Sequence, residues 1–243
     1  MKRLDPADIT GTASLLRLGG LTPLSTTDYP GVLSAVLFCQ GCPWRCSYCH
    51  NSHLIAPGAE PEREWAGVRA FLLGRKGLLD AVVFSGGEPT LQEDLLRAMR
   101  EVKDMGFLIG LHTGGAYPER LAPVLPLVDW VGLDIKAHFA RYEAVNGVPG
   151  SGAKAEASLR LVVESGVDHE CRTTVHPALL SEDELLAMSA TLFDLGARRH
   201  VLQAFRPDGC RDEALIAAHD PVALTRLLDR AAAASPRVEI RGI

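Results

Sequence analysis

Short apolar runs rich in β-branched residues alternate along this chain with amphipathic stretches that have helical spacing. Strands that alternate with helices favour βαβ units and a parallel sheet. Six such units fit either a partial (β/α) barrel or an open doubly wound sheet. The runs predict strands at 33–38, 81–84, 107–111, 130–135, 169–175 and 200–205, with a candidate seventh at 237–241, and the stretches predict helices at 62–73, 91–105, 154–165, 182–195 and 221–233.

The N-terminal segment carries turn signals in place of this regular alternation. Gly19-Gly20 and Asp28-Tyr29-Pro30-Gly31 are sequences typical of turns and hairpins. We therefore expect residues 1–31 to form a short N-terminal extension, a β-hairpin, that leads into a body at 32–243. The length of 243 residues is normal for a single domain of the α/β barrel type.

Composition and charge argue against several classes of function. The net charge is −5 and there is no basic block, which argues against nucleic-acid binding through phosphate contacts. No run approaches the roughly 18 apolar residues of a membrane-spanning helix. The N-terminus, MKRLDPADIT, lacks the apolar core of a signal peptide. These features predict a cytoplasmic protein that has neither a nucleic acid nor a membrane as its partner.

Polar residues of unusual type follow the predicted strands, at the point where each strand ends. The functional residues of α/β folds with parallel sheets lie where strands end and loops begin, so we expect these residues to share one rim. Packing alone does not explain so many polar groups at equivalent positions. In chain order they are Cys42 to Cys49, Ser85 to Pro89, His112 to Gly115, Asp134 and Lys136, Arg172 and Thr173, and Gln203 and Arg206.

Four of the six cysteines fall within eleven residues, at Cys39, Cys42, Cys46 and Cys49. In a reducing compartment such a group indicates metal binding rather than disulfides. The last three have the spacing C-x3-C-x2-C, which lets one loop hold three corners of a [4Fe–4S] cluster. The fourth iron then stays open, which suits a cofactor that chelates metal through its own amine and carboxylate.

Two other interpretations of these cysteines compete with the cluster. With Cys39 the segment offers four thiolates for zinc, but zinc ribbons and fingers usually separate their ligand pairs by about a dozen residues or more. Buried, unreactive thiols are common singly, but not in threes with Gly, Pro and Arg between them. Cys39 ends an apolar strand and is expected in the core, and Cys171 and Cys210 have no evident partner.

The cysteine segment resembles the signature of the radical SAM superfamily, C-x3-C-x-aromatic-C, with Tyr48 at the aromatic position. Ser85-Gly86-Gly87-Glu88-Pro89 is similar to the family's GGE motif, whose backbone and carboxylate hold the amino group of S-adenosylmethionine (SAM). The resemblance implies a partial (β/α)6 TIM-like barrel with a short N-terminal β extension. It also implies that Cys42, Cys46 and Cys49 bind a [4Fe–4S] cluster that cleaves SAM reductively to a 5′-deoxyadenosyl radical.

Finer features resemble the activating enzymes that install a glycyl radical on a partner protein. Tyr48-Cys49-His50-Asn51 is similar to their Y-C-H-N sequence, and Asp134-Ile135-Lys136 is similar to their D-[LI]-K. Arg172 stands where they keep an arginine for the SAM carboxylate. Within that group the chain looks most like the activating proteins of anaerobic (class III) ribonucleoside-triphosphate reductase, on the stretches 28–31 through 40–42, 172–175 and 202–203.

This resemblance implies an oxidoreductase that takes hydrogen from a glycine Cα of that reductase and leaves a glycyl radical there. A flavodoxin or a ferredoxin would supply the electron. Asp134 and Lys136 are expected to act in catalysis, although the two could also form a simple ion pair at the rim. The residues expected to bind the cofactor are Tyr48, Gly86, Gly87, Glu88, His112, Thr113, Asp134, Lys136 and Arg172.

His112 departs from the pattern of the family. Its members often show D-T-N-G after the third strand, where the Asp helps to hold a monovalent cation beside SAM. This chain has His112-Thr113-Gly114-Gly115 instead. A neutral imidazole cannot replace a carboxylate as a ligand for an alkali cation, so His112 is expected either to donate a hydrogen bond or to be structural.

Other functions stay open at this point. A radical SAM enzyme that acts on a small molecule, such as a 7-carboxy-7-deazaguanine synthase, typically shows an acidic residue after its last cysteine, where this chain has His50-Asn51. The target could be a different glycyl-radical enzyme. A non-enzymatic iron–sulfur or zinc protein would leave Gly86-Gly87-Glu88, Asp134 and Lys136 unexplained.

We expect about four irons and four sulfides per chain after anaerobic reconstitution, because three thiolates and one open corner define the cluster. Changing Cys42, Cys46 or Cys49 to Ala should abolish it, whereas the matched variant Cys39→Ala should keep it. Iron and sulfide assays, read together with the absorbance spectrum, measure this. A metal content of about one zinc per chain, without charge-transfer absorbance, would contradict the assignment of an iron–sulfur cluster.

Overall fold

A computed structural model of the protein describes residues 16–57 and 63–242. Within these residues, eight strands form one sheet in which each strand pairs with its neighbours in sequence. The first pair is antiparallel and all later pairs are parallel. The strands are β1 (Leu18–Ser25), β2 (Ser34–Cys39), β3 (Ala81–Gly86), β4 (Leu108–Thr113), β5 (Trp130–Asp134), β6 (Asp168–Val175), β7 (His200–Ala204) and β8 (Val238–Arg241).

Helices connect the parallel strands and several begin with sequence signals that fix their ends. Ser181 accepts a hydrogen bond from the backbone of Glu184, whose side chain bonds back to Ser181, as in a capping box. Asp220 caps the last helix, which starts with Pro221. The helices are α1 (Trp65–Leu73), α2 (Leu95–Asp104), α3 (Pro118–Leu121), α4 (Tyr142–Asn146), α5 (Ser151–Ser165), α6 (Glu182–Asp194), α7 (Glu213–Ala217) and α8 (Pro221–Ala233).

The predicted α/β class and partial TIM-like barrel are confirmed. All six predicted strands are present, and the run at 237–241 forms β8, which is parallel to β7. The barrel therefore has seven parallel strands rather than six. Across the described residues the strand order ends at β1 and β8, so the barrel is incomplete and open between them. No helix in the same residues is long and apolar enough to cross a membrane.

The N-terminal extension joins the barrel sheet directly. β1 pairs antiparallel with β2, with Leu21 opposite Leu37, so the hairpin joins one strand of the extension to the first strand of the body and does not lie within residues 1–31 as predicted. Residues 1–15 of the predicted extension lie outside the described residues, as does residue 62, the first of the predicted helix 62–73. The division into an extension at 1–31 and a body at 32–243 stays a prediction.

Alternation along each strand separates an apolar shell from a polar interior. Parallel sheets are covered on both faces, and successive side chains point to opposite faces. At the strand ends, Phe84, Leu111 and Leu133 belong to the buried apolar core. The side chains next to them in sequence point inward, so six successive strands each contribute at least one residue to a common cavity, among them Phe38, Ser85, His112, Asp134, Arg172 and Gln203.

Candidate active site

The carboxyl ends of β2 to β7 surround a cavity of about 260 Å³. Every residue that the sequence predicts to bind the cluster or SAM lines this one cavity. The structure thus brings together positions that lie 130 residues apart in sequence, from Cys42 to Arg172. The predicted residues at its wall are Cys42, Cys46, Tyr48, Cys49, Gly86, Gly87, Glu88, His112, Thr113, Asp134, Lys136 and Arg172.

Backbone hydrogen bonds to other segments hold the cysteine loop in place. The Cys42 amide donates to the Ile55 carbonyl at 3.1 Å, which closes the loop on itself. The amides of Arg45 and Ser47 donate to the carbonyls of Asn146 and Val145 at 3.1 and 3.2 Å. These bonds attach the loop to α4, so the positions of its thiols are defined by the protein itself.

The three thiols of the loop are suited to iron rather than to remaining free. Burial raises the pKa of Cys42 to about 12 and raises the pKa values of Cys46 and Cys49, while the Lys136 ammonium acts in the opposite direction. Coordination to a metal deprotonates such a thiol outright. In the described part of the chain, no three His, Cys, Asp or Glu side chains converge on a position for a single metal ion. The three thiols line the same cavity, and in a multi-iron cluster each thiolate binds a different iron.

The other cysteines lie away from this cavity. Cys39 and Cys171 are fully buried in the core, and burial raises both pKa values, as is usual for unreactive thiols. The Cys39 position agrees with the sequence-based expectation. Cys210 lies behind the cysteine loop, where its Sγ donates to the Ser47 carbonyl at 3.4 Å.

The Gly-Gly turn after β3 packs against the cysteine loop, backbone to backbone. The amide of Gly87 donates to the Cys39 carbonyl at 2.9 Å, and the amide of Glu88 donates to the Gly41 carbonyl at 2.8 Å. Gly86 has a φ of 112°, and a Cβ there would lie 2.4 Å from the Cys39 nitrogen. A Cβ on Gly87 would lie 2.2 Å from the Gly41 oxygen. The turn therefore requires glycine at both positions.

The carboxylate of Glu88 is the centre of a buried hydrogen-bond network. Its Oε1 accepts from the amide and hydroxyl of Thr90 at 3.1 and 2.7 Å, and from the Thr113 hydroxyl at 2.7 Å. Its Oε2 accepts from the Gly114 amide at 2.9 Å. Three donors saturate Oε1, whereas Oε2 has one donor and so retains room for a donor from a ligand.

Opposite Glu88, Asp134 forms ion pairs with two cations. Arg172 donates to Asp134 Oδ1 through Nε at 2.9 Å and Nη2 at 2.8 Å, and Lys136 Nζ lies 3.6 Å from Oδ2. Burial opposes ionisation of Asp134, but the two cations outweigh burial and lower its pKa. The predicted ion pair thus exists, and it lies at the cavity wall. Space for the guanidinium comes from Gly132, where a Cβ would lie 2.7 Å from Arg172 Cζ.

Tyr142 fixes the backbone between these charged residues and had no signal in the sequence. Its hydroxyl donates to the Asp134 carbonyl at 3.1 Å and accepts from the Lys136 amide at 3.0 Å. Trp44 packs edge-on against Tyr142, with ring centroids 5.6 Å apart. Lys136 Nζ lies 5.9 Å from the ring centres of both Trp44 and Tyr48, within the range of a cation–π interaction.

His112 is neutral and uses both ring nitrogens for contacts within the protein. Its Nε2 lies 2.7 Å from the Asp28 carbonyl oxygen, which can only accept, so Nε2 carries the proton. Nδ1 is then an acceptor, and the Ser85 hydroxyl at 3.2 Å is its donor. Burial and the nearby Arg172 lower the pKa of His112 to about 4. Its role in cofactor binding stays a prediction.

Thr173 was expected at the rim, and the structure places it elsewhere. The sequence groups it with Arg172, but adjacent residues of a strand face opposite sides. Arg172 and Thr174 line the cavity, whereas Thr173 is buried on the outer side of β6. The same period of two could have identified Thr174. Trp44, Ser85, Gly114 and Gln203, which lie in the stretches that the sequence places at the rim, also line the cavity, whereas Arg206 does not. Lining residues that the sequence does not place at the rim are Asp28, Phe38, His50, Asn51 and Ile55.

Comparison with known proteins matches the chain to an established family. The family model of the radical SAM superfamily matches residues 36–192. The chain is 32% identical over 203 residues to a Methanocaldococcus jannaschii protein assigned as a glycyl-radical enzyme activating enzyme, covering 81% of this chain and 82% of that one. It is 29% identical over 182 residues to the pyruvate formate-lyase-activating enzyme of Clostridium pasteurianum, covering 72% and 75%.

Two further similarities cover less than half of the other protein. The chain is 35% identical over 100 residues to the 7-carboxy-7-deazaguanine synthase of Thermococcus kodakarensis, covering 41% of this chain and 39% of that one. Its fold is similar to the crystal structure of Streptococcus suis SuiB bound to the precursor peptide SuiA, with a TM-score of 0.66 and 12% identity. That match covers 85% of this chain, which spans about half (48%) of the solved one, and it concerns the fold alone.

The neutral state of His112 can be measured directly. Because burial lowers its pKa to about 4, its ring signals should not shift between pH 8 and 5.5, and they should show the proton on Nε2. A two-dimensional proton–nitrogen spectrum of the histidine rings measures both properties, and His112→Asn identifies the signal by its loss. A titration midpoint near the usual histidine pKa of about 6.5 would contradict this account of His112.

Proposed function

The chain belongs to the radical SAM superfamily and to its glycyl-radical enzyme activating enzymes, and we propose that it activates an anaerobic (class III) ribonucleoside-triphosphate reductase. One observation carries the proposal: a single cavity combines three thiols with an acidic group and a cationic group. The thiols lie on the cysteine loop, the acid is Glu88, and the cations are Arg172 and Lys136. The choice of the reductase rests on the sequence stretches at 28–31, 40–42, 172–175 and 202–203.

The superfamily uses a [4Fe–4S] cluster and SAM, and the residues of this cavity fit both. When bound, the cluster supplies the electron that breaks the C5′–S bond of SAM. Cys42, Cys46 and Cys49 would each bind one iron, which leaves one iron without a protein ligand. The Lys136 ammonium beside the loop favours the thiolate forms of Cys46 and Cys49.

Two groups of opposite charge would orient the methionine part of SAM. Oε2 of Glu88 has room for a donor, so it would accept a hydrogen bond from the SAM ammonium. Arg172 uses Nε and Nη2 for Asp134 and for the Gly132 carbonyl, and in the described part of the chain its Nη1 has no protein acceptor. Nη1 would donate to the SAM carboxylate, and Asp134 would keep the guanidinium aligned.

The open side of the barrel would admit the glycine loop of the partner. A second cavity of about 350 Å³ shares Asp28, His50, Arg172, Thr174 and Gln203 with the first. It is also lined by Thr27, which follows β1, and by Arg241 and Gly242 at the end of β8. These strands are the two edges of the incomplete barrel. A protein loop can enter sideways there and cover the cavity, whereas a small metabolite needs enclosure by the enzyme.

An acidic flavodoxin or ferredoxin is the proposed electron donor, and the cytoplasm is the proposed compartment. Cys46 and Cys49 line the main cavity on one side and a surface depression on the other. Arg45 and Arg211, both exposed, also line that depression. A donor that docks there would be separated from the cluster only by the cysteine loop, and its negative charge would be attracted to the two arginines.

The alternatives differ from this proposal in their targets. The match to the 7-carboxy-7-deazaguanine synthase covers 41% of the chain, against 81% for the assigned activating enzyme. His50-Asn51 also follows the last cysteine, where the synthases typically have an acidic residue. Activation of a different glycyl-radical enzyme, such as pyruvate formate-lyase, uses the same site and is an outcome that the test of the target distinguishes.

The SAM pocket is tested by binding. Glu88→Ala and Arg172→Met should each weaken SAM affinity roughly ten- to a hundredfold, because one lost charged hydrogen bond costs on the order of 1.5–3 kcal/mol. Iron content should stay native, which separates SAM binding from cluster binding. Arg160→Met, which removes an exposed ion pair with Glu156, is the matched control. Native SAM affinity in both site variants would place SAM elsewhere.

The target is tested with the cognate reductase. When the enzyme is mixed with the reductase, SAM and a reductant, a glycine-centred doublet should appear in the electron paramagnetic resonance spectrum. The doublet should disappear when the partner glycine is changed to Ala. If SAM is cleaved and the reductase gives no such signal, whereas pyruvate formate-lyase or another glycyl-radical enzyme does, the reductase is the wrong target.

A further inference from the structure

Three buried polar side chains form a continuous chain of hydrogen bonds behind the active site. Ser189 on α6, His200 on β7 and Thr173 on β6 are 6%, 0% and 0% exposed. Ser189 Oγ lies 2.8 Å from His200 Nδ1, and His200 Nε2 lies 2.8 Å from Thr173 Oγ1. Thr173 Oγ1 lies 2.6 Å from the Ile135 carbonyl oxygen. None of the three side chains lines the cavity.

The direction of these hydrogen bonds follows from one fixed end. The Ile135 carbonyl can only accept, so the single Thr173 hydroxyl proton points to it. His200 Nε2 must then donate to Thr173, and Nδ1 must accept from Ser189. Burial lowers the pKa of His200 to about 4, which is consistent with a neutral ring. Ser189 Oγ also lies 2.9 Å from the Leu185 carbonyl, but that carbonyl already accepts an amide hydrogen bond within its own helix. The Ile135 carbonyl lies outside the helices and strands and takes its bond from Thr173, so the Thr173 end sets the direction and Ser189 donates to His200.

Ile135 separates the two residues that form the charged wall of the cavity, Asp134 and Lys136. Its amide donates to the Arg172 carbonyl at 2.8 Å, and its carbonyl accepts from Thr173. The Tyr142 hydroxyl holds the Asp134 carbonyl and the Lys136 amide. Thr173 and Tyr142 thus fix this segment from opposite sides. Without the Thr173 bond, the Ile135 carbonyl would be buried without a partner, and the segment would lose one of the bonds that set its orientation.

We propose that His200 is a positioning residue for the active site, which acts through Thr173 to set the orientation of Asp134 and Lys136. Because His200 Nε2 carries a proton, the Thr173 hydroxyl can donate only to the Ile135 carbonyl. The inference rests on the proposed function, because these two residues matter to SAM only if SAM binds beside them. A side chain on the outer face of the sheet would then control SAM binding without touching SAM.

The test compares Thr173→Val, which loses the hydroxyl, with Thr173→Ser, which keeps it. In the anaerobically reconstituted protein, Thr173→Val should speed hydrogen–deuterium exchange of the Ile135 and Lys136 amides at least about threefold. It should weaken SAM affinity roughly three- to tenfold, as expected for one hydrogen bond. Thr173→Ser should stay within about twofold of the native protein in both measurements.

A second pair of variants tests His200 itself and covers the case in which Thr173→Val does not fold. His200→Gln keeps a donor at the position of Nε2, whereas His200→Asn is too short to reach Thr173. The Gln variant should be close to native, and the Asn variant should resemble Thr173→Val. The control is Thr191→Val, which removes an α6 hydroxyl that bonds only the Ala187 carbonyl of its own helix.

Native exchange of Ile135 and Lys136 in Thr173→Val and His200→Asn would overturn the inference, even if both variants melt at lower temperature. That result would show that the three residues only stabilise the packing of α6. The exchange measurement is independent of the proposed function. If Glu88→Ala and Arg172→Met both leave SAM affinity unchanged, the SAM pocket is wrong, and exchange still decides whether His200 positions the segment.

Discussion

The site depends on one close contact, in which the Gly86-Gly87 turn lies directly on the backbone of the cysteine loop. A Cβ at Gly87 would lie 2.2 Å from the Gly41 oxygen, so no other residue permits this approach. The contact places Glu88 beside the loop that carries Cys42. The four hydrogen bonds of Glu88 then extend the connection to the end of β4 through Thr113 and Gly114. Three loops from three strands thereby become one unit.

Charge balance explains how so many ionisable groups share a buried cavity. Moving one ion from water into a protein interior costs roughly several kcal/mol unless partner groups compensate its charge. Glu88 is compensated by four donors, and Asp134 by Arg172 and Lys136. His112 avoids the cost by staying neutral. An activating enzyme with this arrangement has its polar groups oriented before cofactors bind, because each is already held by protein partners.

Much of the fold and of the site could be predicted from local patterns. Apolar runs separated by amphipathic stretches identified every parallel strand, since each pattern follows from burial on both faces. Local spacing also identified the cysteine loop and the Gly-Gly-Glu turn. The roles of Trp44, which lies in the cysteine loop, and of Tyr142, which contacts it from α4, could not be found this way. Their contacts depend on how α4 docks against the cysteine loop, and no local pattern encodes that docking.

The sequence by itself determined the order of the elements and the chemical types at the strand ends. The thiols, the acid and the two cations could be assigned to the strand ends because each lies in a short local motif. Only the tertiary structure decided which of those groups face the cavity and which face the helices. Neighbouring residues of a strand point to opposite sides, so Arg172 enters the site while Thr173 turns to His200. It also decided that His112 is neutral, because burial and the nearby Arg172, which lower its pKa, come from the packed fold. The carbonyl that takes its Nε2 proton belongs to Asp28, 84 residues away in sequence.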